Sequence, residues 1–344
     1  MASSSDRDAP SVVSSAAAVA DGLRRVGRAP AVLFGMYGMT LLVALPLAIA
    51  LEGMLADHLG PSLAGAAVAR GGDVGWWQEF SAQATGLGTT FVPSIIGFGA
   101  VLQDLSGLLD NLPLAATIAG VTAAWLFIWS FLAGGIVDRY ARNRATRARG
   151  FFGACGGHFP ALLRLGLLSL VGYWLLFAWV HPLIFETAYE QLTHEVTVER
   201  TAFAIRLAGY GIFGLLLLLV NVVVDYARIR IVVEDRRSAA GGLLAGFRFV
   251  RRHAGAVAGV YVLDGLLFVV LIAVYALVAP GANAPVWGVL VIGQTFILLR
   301  HVLKLTFYAS ETALFQSRLA HAAYAAAPAP AWPESPAAEA IRRI

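Results

Sequence analysis

The chain has 344 residues, 58% of them apolar and only 13% charged, with a mean hydropathy of +0.73. So few charges cannot cover a water-facing globule, which excludes an ordinary soluble domain. The single cysteine, Cys155, excludes an internal disulfide, and the net charge of +4 favours anionic surfaces as partners.

Residues 1–11 are Ser-rich and polar, and are expected to be disordered for want of apolar surface to offset chain ordering. Next, Val12, Ala16, Val19, Leu23 and Val26 recur at helical spacing, with Asp21, Arg24, Arg25 and Arg28 on the other side. That pattern predicts a helix lying in the membrane interface. Arg28-Ala29-Pro30 then turns the chain into a first span at about 31–52, since proline suits the first turn of a new helix. The arginines before this span and Ala48-Ile49-Ala50 at its end imitate a cleavable signal, but the apolar run is longer than an h-region. A signal anchor is expected instead.

The connection 53–111 carries an aromatic anchor at Trp76-Trp77 and Phe80, and an amphipathic stretch through Ile95, Phe98, Leu102, Leu105 and Leu109. A span at about 112–136 leads to Asp138-Arg139-Tyr140-Ala141-Arg142-Asn143-Arg144. A short glycine-rich interfacial helix with Phe151, Phe152 and Phe159 follows, and Pro160 is expected to turn the chain into a span at about 160–180. In the acidic, helical stretch 181–200, Glu186, Glu190 and His194 share one face, either a solvated surface or a weak divalent-cation site.

A span at about 201–224 leads to Asp225-Tyr226-Ala227-Arg228-Ile229-Arg230. Ser238 is placed to N-cap a further interfacial helix, with Leu243, Leu244, Phe247 and Val250 toward lipid and Arg248, Arg251 and Arg252 toward head groups. After His253-Ala254-Gly255 come spans at about 256–279 and 286–308, the last ending in Tyr308-Ala309, and then an Ala/Pro tail, 326–344, expected to be disordered. Each span reaches the ~20 residues that cross a ~30 Å hydrocarbon core. A backbone in lipid must satisfy itself, so each must be a helix.

The recurring junctions and Tyr-Ala ends predict an all-α polytopic membrane protein. Residues 12–325 form one domain of six transmembrane helices, arranged as three parallel-oriented helical hairpin repeats. With the N-terminus inside, inner segments hold 22 of the 25 Lys and Arg residues, giving +12 inside against −7 outside. The expectation is a bacterial inner (cytoplasmic) membrane protein with both termini cytoplasmic. Its partners are phospholipids, preferentially anionic at the cytoplasmic face, and a membrane-protein partner is compatible with the same surface. The basic residues border spans and interfacial helices, so lipid explains them without nucleic acid.

Asp264 lies some way inside a span, where a carboxylate needs a partner. Counting depth places Arg300 and His301 beside it and Lys304 one turn nearer the cytoplasm, while Asn221 and Asp225 extend the polar set. This set reads either as an ion, proton or anion site, or as a structural ion pair. In the inner-end motifs, Tyr140 and Tyr226 are expected at head-group level, and Arg142, Arg144, Arg228 and Arg230 are expected to snorkel or bind phosphate. Gly242/Gly246 and Gly255/Gly259 read as close-packing points, since no strand precedes them and no Gly-Lys-Ser/Thr follows. No catalytic set, metal site or cofactor motif emerges.

The stretch from Val224 to Val260, with Asp225-Tyr226-Ala227-Arg228, Val233-Glu234-Asp235-Arg236-Arg237 and the amphipathic Leu243 to His253, resembles an uncharacterised bacterial six-span membrane protein family. It is similar also to the membrane domain found beside some glycerophosphodiester phosphodiesterases. The resemblance implies a multi-pass helical domain and no catalytic residues, because the phosphodiesterase barrel has no counterpart here. The expected role is non-enzymatic: handling or organising lipid, or supporting a partner. The alternative is a small-solute or lipid transporter with a polar site around Asp264, Arg300 and His301, three hairpins resembling in plan the mitochondrial carriers without their Pro-x-acid-x-x-base motif. An intramembrane enzyme using Asp264, His301 and Lys304 would lack a nucleophile.

Overall fold

Lipid-length apolar runs leave the backbone one economical solution, the helix, and the computed structural model is built of helices, with no strand among its described residues. Those residues are 13–60, 65–69, 73–91, 105–112, 116–280 and 284–319. Val12, Ile95, Phe98, Leu102 and both expected tails lie outside them. In chain order the helices are α1 (Ser15–Gly27), α2 (Pro30–Leu59), α3 (Gly65–Ala69), α4 (Val74–Gln83) and α5 (Ala116–Arg142). They continue as α6 (Ala148–Thr193), α7 (Glu199–Val233), α8 (Ala239–Arg252), α9 (Ala254–Val278) and α10 (Val286–Arg318). Six of them, α2, α5, α6, α7, α9 and α10, are long and apolar enough to cross a membrane.

The expected break at Pro160 does not occur: α6 runs unbroken from Ala148 to Thr193. A proline removes one ladder hydrogen bond, whereas ending the helix in an apolar surrounding would strand several backbone groups. Farther along, the π turns Leu176–Val180 and Leu183–Ala188 straddle Pro182, widening the ladder where its N–H is missing. One long helix therefore replaces the interfacial helix, span and acidic outer helix expected separately. The inner ends are longer too. α5 runs to Arg142, α7 to Val233 and α10 to Arg318, so the Tyr-Ala pairs sit within helices. Asn143 and Asp235, both at positive φ, lie just beyond the ends of α5 and α7, a conformation Asn and Asp tolerate.

The core gathers at the end of the bundle carrying Tyr140, Tyr226 and Tyr308, called the motif end below. There α1 lies along α10, α8 along α7, and the first turns of α6 along α5. Each contact is closed by a glycine. A Cβ on Gly22 would lie 2.7 Å from Ser310 N, one on Gly246 2.7 Å from Ala227 N, and one on Gly135 2.9 Å from Phe151 O. Such approach distances require glycine and bring the paired backbones together.

Two expected orientations need correction. In α1 the inward face is Ala18, Gly22, Arg25 and Val26, while Leu23 is exposed; Arg25 thus points into the protein. In α8, Leu244, Phe247, Arg248, Arg251 and Arg252 are exposed as expected, but Val250 is buried with Phe249. In both helices the protein-facing stripe includes small residues, Ala18 and Gly22 in α1 and Gly242, Ala245 and Gly246 in α8. Near the far end, Trp76 and Phe80 are buried against His58 rather than set out as an anchor, with Trp76 Nε1 donating to His58 Nδ1 at 3.0 Å.

Candidate functional site

The spacing of Asp225 and Arg228 on α7 puts both on one face, and they form an ion pair at 2.5 Å. Asn221 Nδ2 and the Tyr261 hydroxyl of α9 each donate to Asp225 Oδ2 at 3.0 Å. Arg228 Nη1 also donates to the Tyr308 hydroxyl of α10 at 2.7 Å, and Trp129 Nε1 of α5 donates to the same oxygen at 3.2 Å. The Lys304 ammonium lies 3.8 Å from the centre of the Trp129 ring. One carboxylate with three donors and one guanidinium thus join α7, α9, α10 and α5.

Asn221, Asp225 and Lys304 therefore belong to one polar set, but Asp264, Arg300 and His301 do not converge as expected. His301 Nε2 faces the Thr40 hydroxyl of α2 at 3.0 Å. Arg300 is exposed, with its guanidinium over the Phe296 ring at 5.9 Å. Asp264 is buried, and neither of its carboxyl oxygens has a hydrogen-bond partner among the described residues. Equal depth put these residues at one level, but the helix rotation turns them to different neighbours.

Glu311 is the member that depth counting missed. It is fully buried on α10 with neither oxygen in a well-formed hydrogen bond, although the Tyr261 hydroxyl and Asp225 lie beside it. Ending the last span at Tyr308 placed Glu311 in water. The signal against that was the helical recurrence of Tyr308, Glu311 and Phe315, each buried.

The motif tyrosines are not at a surface. Tyr140 and Tyr226 are fully buried with unpartnered hydroxyls, and Tyr308 is buried in the network just described. Their rings fill the space between helices that the adjoining alanines bring close. Arg228 likewise turns inward, and Arg230 is half-buried, donating to Glu234 at 3.0 Å and to the Ala245 carbonyl at 3.2 Å. Arg142, Arg144, Arg248, Arg251 and Arg252 remain exposed at the motif end. Glu186 falls in a π turn, which alters its spacing to Glu190 and His194; among the described residues no group of three His, Cys, Asp or Glu could hold a metal ion.

The motif end also holds an open basin of about 690 Å³ between the α5–α6 connection and the α7–α8 connection. Five arginines line it, Arg142, Arg144, Arg164, Arg236 and Arg237, against two aspartates, Asp138 and Asp235. Arg164 and Arg237 are shared with an adjoining groove of about 630 Å³, whose wall is Leu167, Leu168 and Val171 of α6. A cationic basin continuous with an apolar groove offers a phosphate and a hydrocarbon chain their respective surroundings. Comparison with family models, with curated proteins and with solved structures finds no match to this chain.

Proposed function

We propose that this chain is a non-enzymatic, multi-pass protein of the bacterial cytoplasmic membrane that binds anionic phospholipid at its cytoplasmic face and so organises lipid or supports a membrane-protein partner. The motif end is the cytoplasmic end in this reading, with both termini on that side, as the distribution of Lys and Arg favours. The repeat in this reading is three parallel-oriented hairpins, each an interfacial segment, an outgoing span, an outer connection and a returning span that carries Tyr-Ala. Kinship with the six-span family described above is part of the same proposal. The observation that carries it is the joining of the arginine basin to the Leu167–Val171 groove through Arg164 and Arg237.

The test is lipid retention by the purified protein in nanodiscs of mixed phosphatidylglycerol and phosphatidylcholine. A preference for phosphatidylglycerol on the order of 30-fold is expected, at about 1 kcal/mol for each of the two shared arginines, falling toward parity in Arg164→Gln/Arg237→Gln. Parity in the unmodified protein overturns the proposal. The transport alternative requires water at Asp264. With Cys155→Ser and Asp264→Cys, labelling by an impermeant thiol reagent from either side of sealed vesicles would favour transport over lipid organisation.

A further inference from the structure

Away from the basin, α2 and the α5–α6 hairpin leave a crevice of about 460 Å³ between them at the motif end. Its upper part is formed by Arg28 and Arg139, and its deeper part by Met36, Met39 and Leu132. Along α5, Leu132 lies about 10 Å deeper than Arg139, and along α2, Met39 lies about 14 Å deeper than Pro30, at 1.5 Å per residue. The crevice is therefore cationic at the membrane surface and apolar below.

Arg139 is the decisive residue. It is 6% exposed, Nη2 donates to the Arg28 carbonyl at 2.9 Å, and the buried Nη1 has no hydrogen-bond partner among the described residues. The neighbouring acid, Asp138, is taken by Arg142 at 2.7 Å, and no acid is among the described residues lining the crevice. A buried guanidinium with a free donor and no counter-ion is a site prepared for an anion. Its volume is within the range of small-molecule pockets.

We propose that this crevice holds one anionic phospholipid, with its phosphate on Arg139 and an acyl chain along Met36, Met39 and Leu132. The site extends the lipid-binding reading above but uses different residues, so the two can fail separately.

The test places the photoreactive residue benzoylphenylalanine at Met39 in full-length protein, in nanodiscs of equal phosphatidylglycerol and phosphatidylcholine. Irradiation and mass spectrometry then identify the lipid adduct. Phosphatidylglycerol adducts are expected to exceed phosphatidylcholine adducts on the order of fivefold, the effect of about one basic residue. Arg139→Gln should bring the ratio to one, Arg139→Lys should retain it, and Arg164→Gln/Arg237→Gln should leave it unchanged. A Cβ on Gly35, which lines the crevice, would meet nothing within 4 Å, so Gly35→Phe should put its ring into the crevice and abolish the adduct, with an unchanged unfolding midpoint showing that the fold is kept. A ratio of one in the unmodified Arg139 background, or a ratio indifferent to Arg139→Gln, overturns the proposal. So does loss of the preference on adding inorganic phosphate, which would identify free phosphate as the ligand.

Discussion

Arg25 Nη1 donates to the main-chain oxygen of Tyr140 at 2.8 Å, and the same nitrogen reaches Gln316 Oε1 at 2.9 Å. Gln316 in turn donates to the Ala141 carbonyl at 2.9 Å. Side chains from the first and last helices thus satisfy carbonyls at the C-terminus of α5, where acceptors are left over and a cation is favoured. Arg25→Gln is expected to cost about 2 kcal/mol, read from the midpoint of unfolding in mixed micelles. Arg25→Lys should fall between, and an unchanged midpoint for Arg25→Gln would show that the contact contributes nothing.

The Asp225–Arg228 pair calls for a double-mutant cycle. Removing either partner leaves a buried charge, so Asp225→Asn and Arg228→Gln should each cost about 3 kcal/mol. The double variant should cost less than the sum by more than about 1 kcal/mol. Strict additivity would mean that the two residues act through separate neighbours.

The close glycines can be separated from the idle ones. Gly22→Val and Gly246→Val force α1 from α10 and α8 from α7, and each is expected to cost about 1–3 kcal/mol or more. Gly27→Ala and Gly255→Ala meet nothing within 4 Å and should unfold like the parent. Equal effects in the two sets would contradict the packing at the motif end.

His253, between α8 and α9, rests against the Phe249 ring at 4.8 Å, and burial together with Arg318 and Arg252 holds its imidazole below the usual range. The unfolded chain then takes up the proton first as pH falls through about 6.5. Stability is complete above that value and declines below it. His253→Phe, which keeps the ring contact, should flatten the decline in thermal midpoint between pH 7.5 and 5.5; a profile parallel to the parent would exclude His253 as its source.

Apolar length alone located the six helices long enough to cross a membrane, and the Tyr-Ala pairs, although they lie inside longer helices, marked the end of the bundle where the core lies. Facing was harder to read. In water the largest apolar residues turn inward, but in lipid they can turn outward and small residues meet across helices. Leu244 and Phe247 are exposed and Gly242 and Gly246 carry the packing of α8, as the sequence reads, whereas the inward turn of Arg25 and Val26 in α1 and of Val250 in α8 was not legible. Arg25 looked like a head-group residue because nothing in its local sequence reveals acceptors at Tyr140 and Gln316. Asp264 was correctly placed in a span, but depth without rotation assigned it the wrong neighbours.

The seating of α1 on α10 also sets an order of assembly. Ser15 reaches the Ala256 carbonyl at 3.0 Å and Arg25 reaches Gln316, so α1 finds these partners only after 241 or more further residues have been made. Until α10 is inserted, the Gly22 face has nothing to pack against. A chain stalled before Ser310 would leave the Gly22 face of α1 uncovered, so the closing of that face marks the arrival of α10.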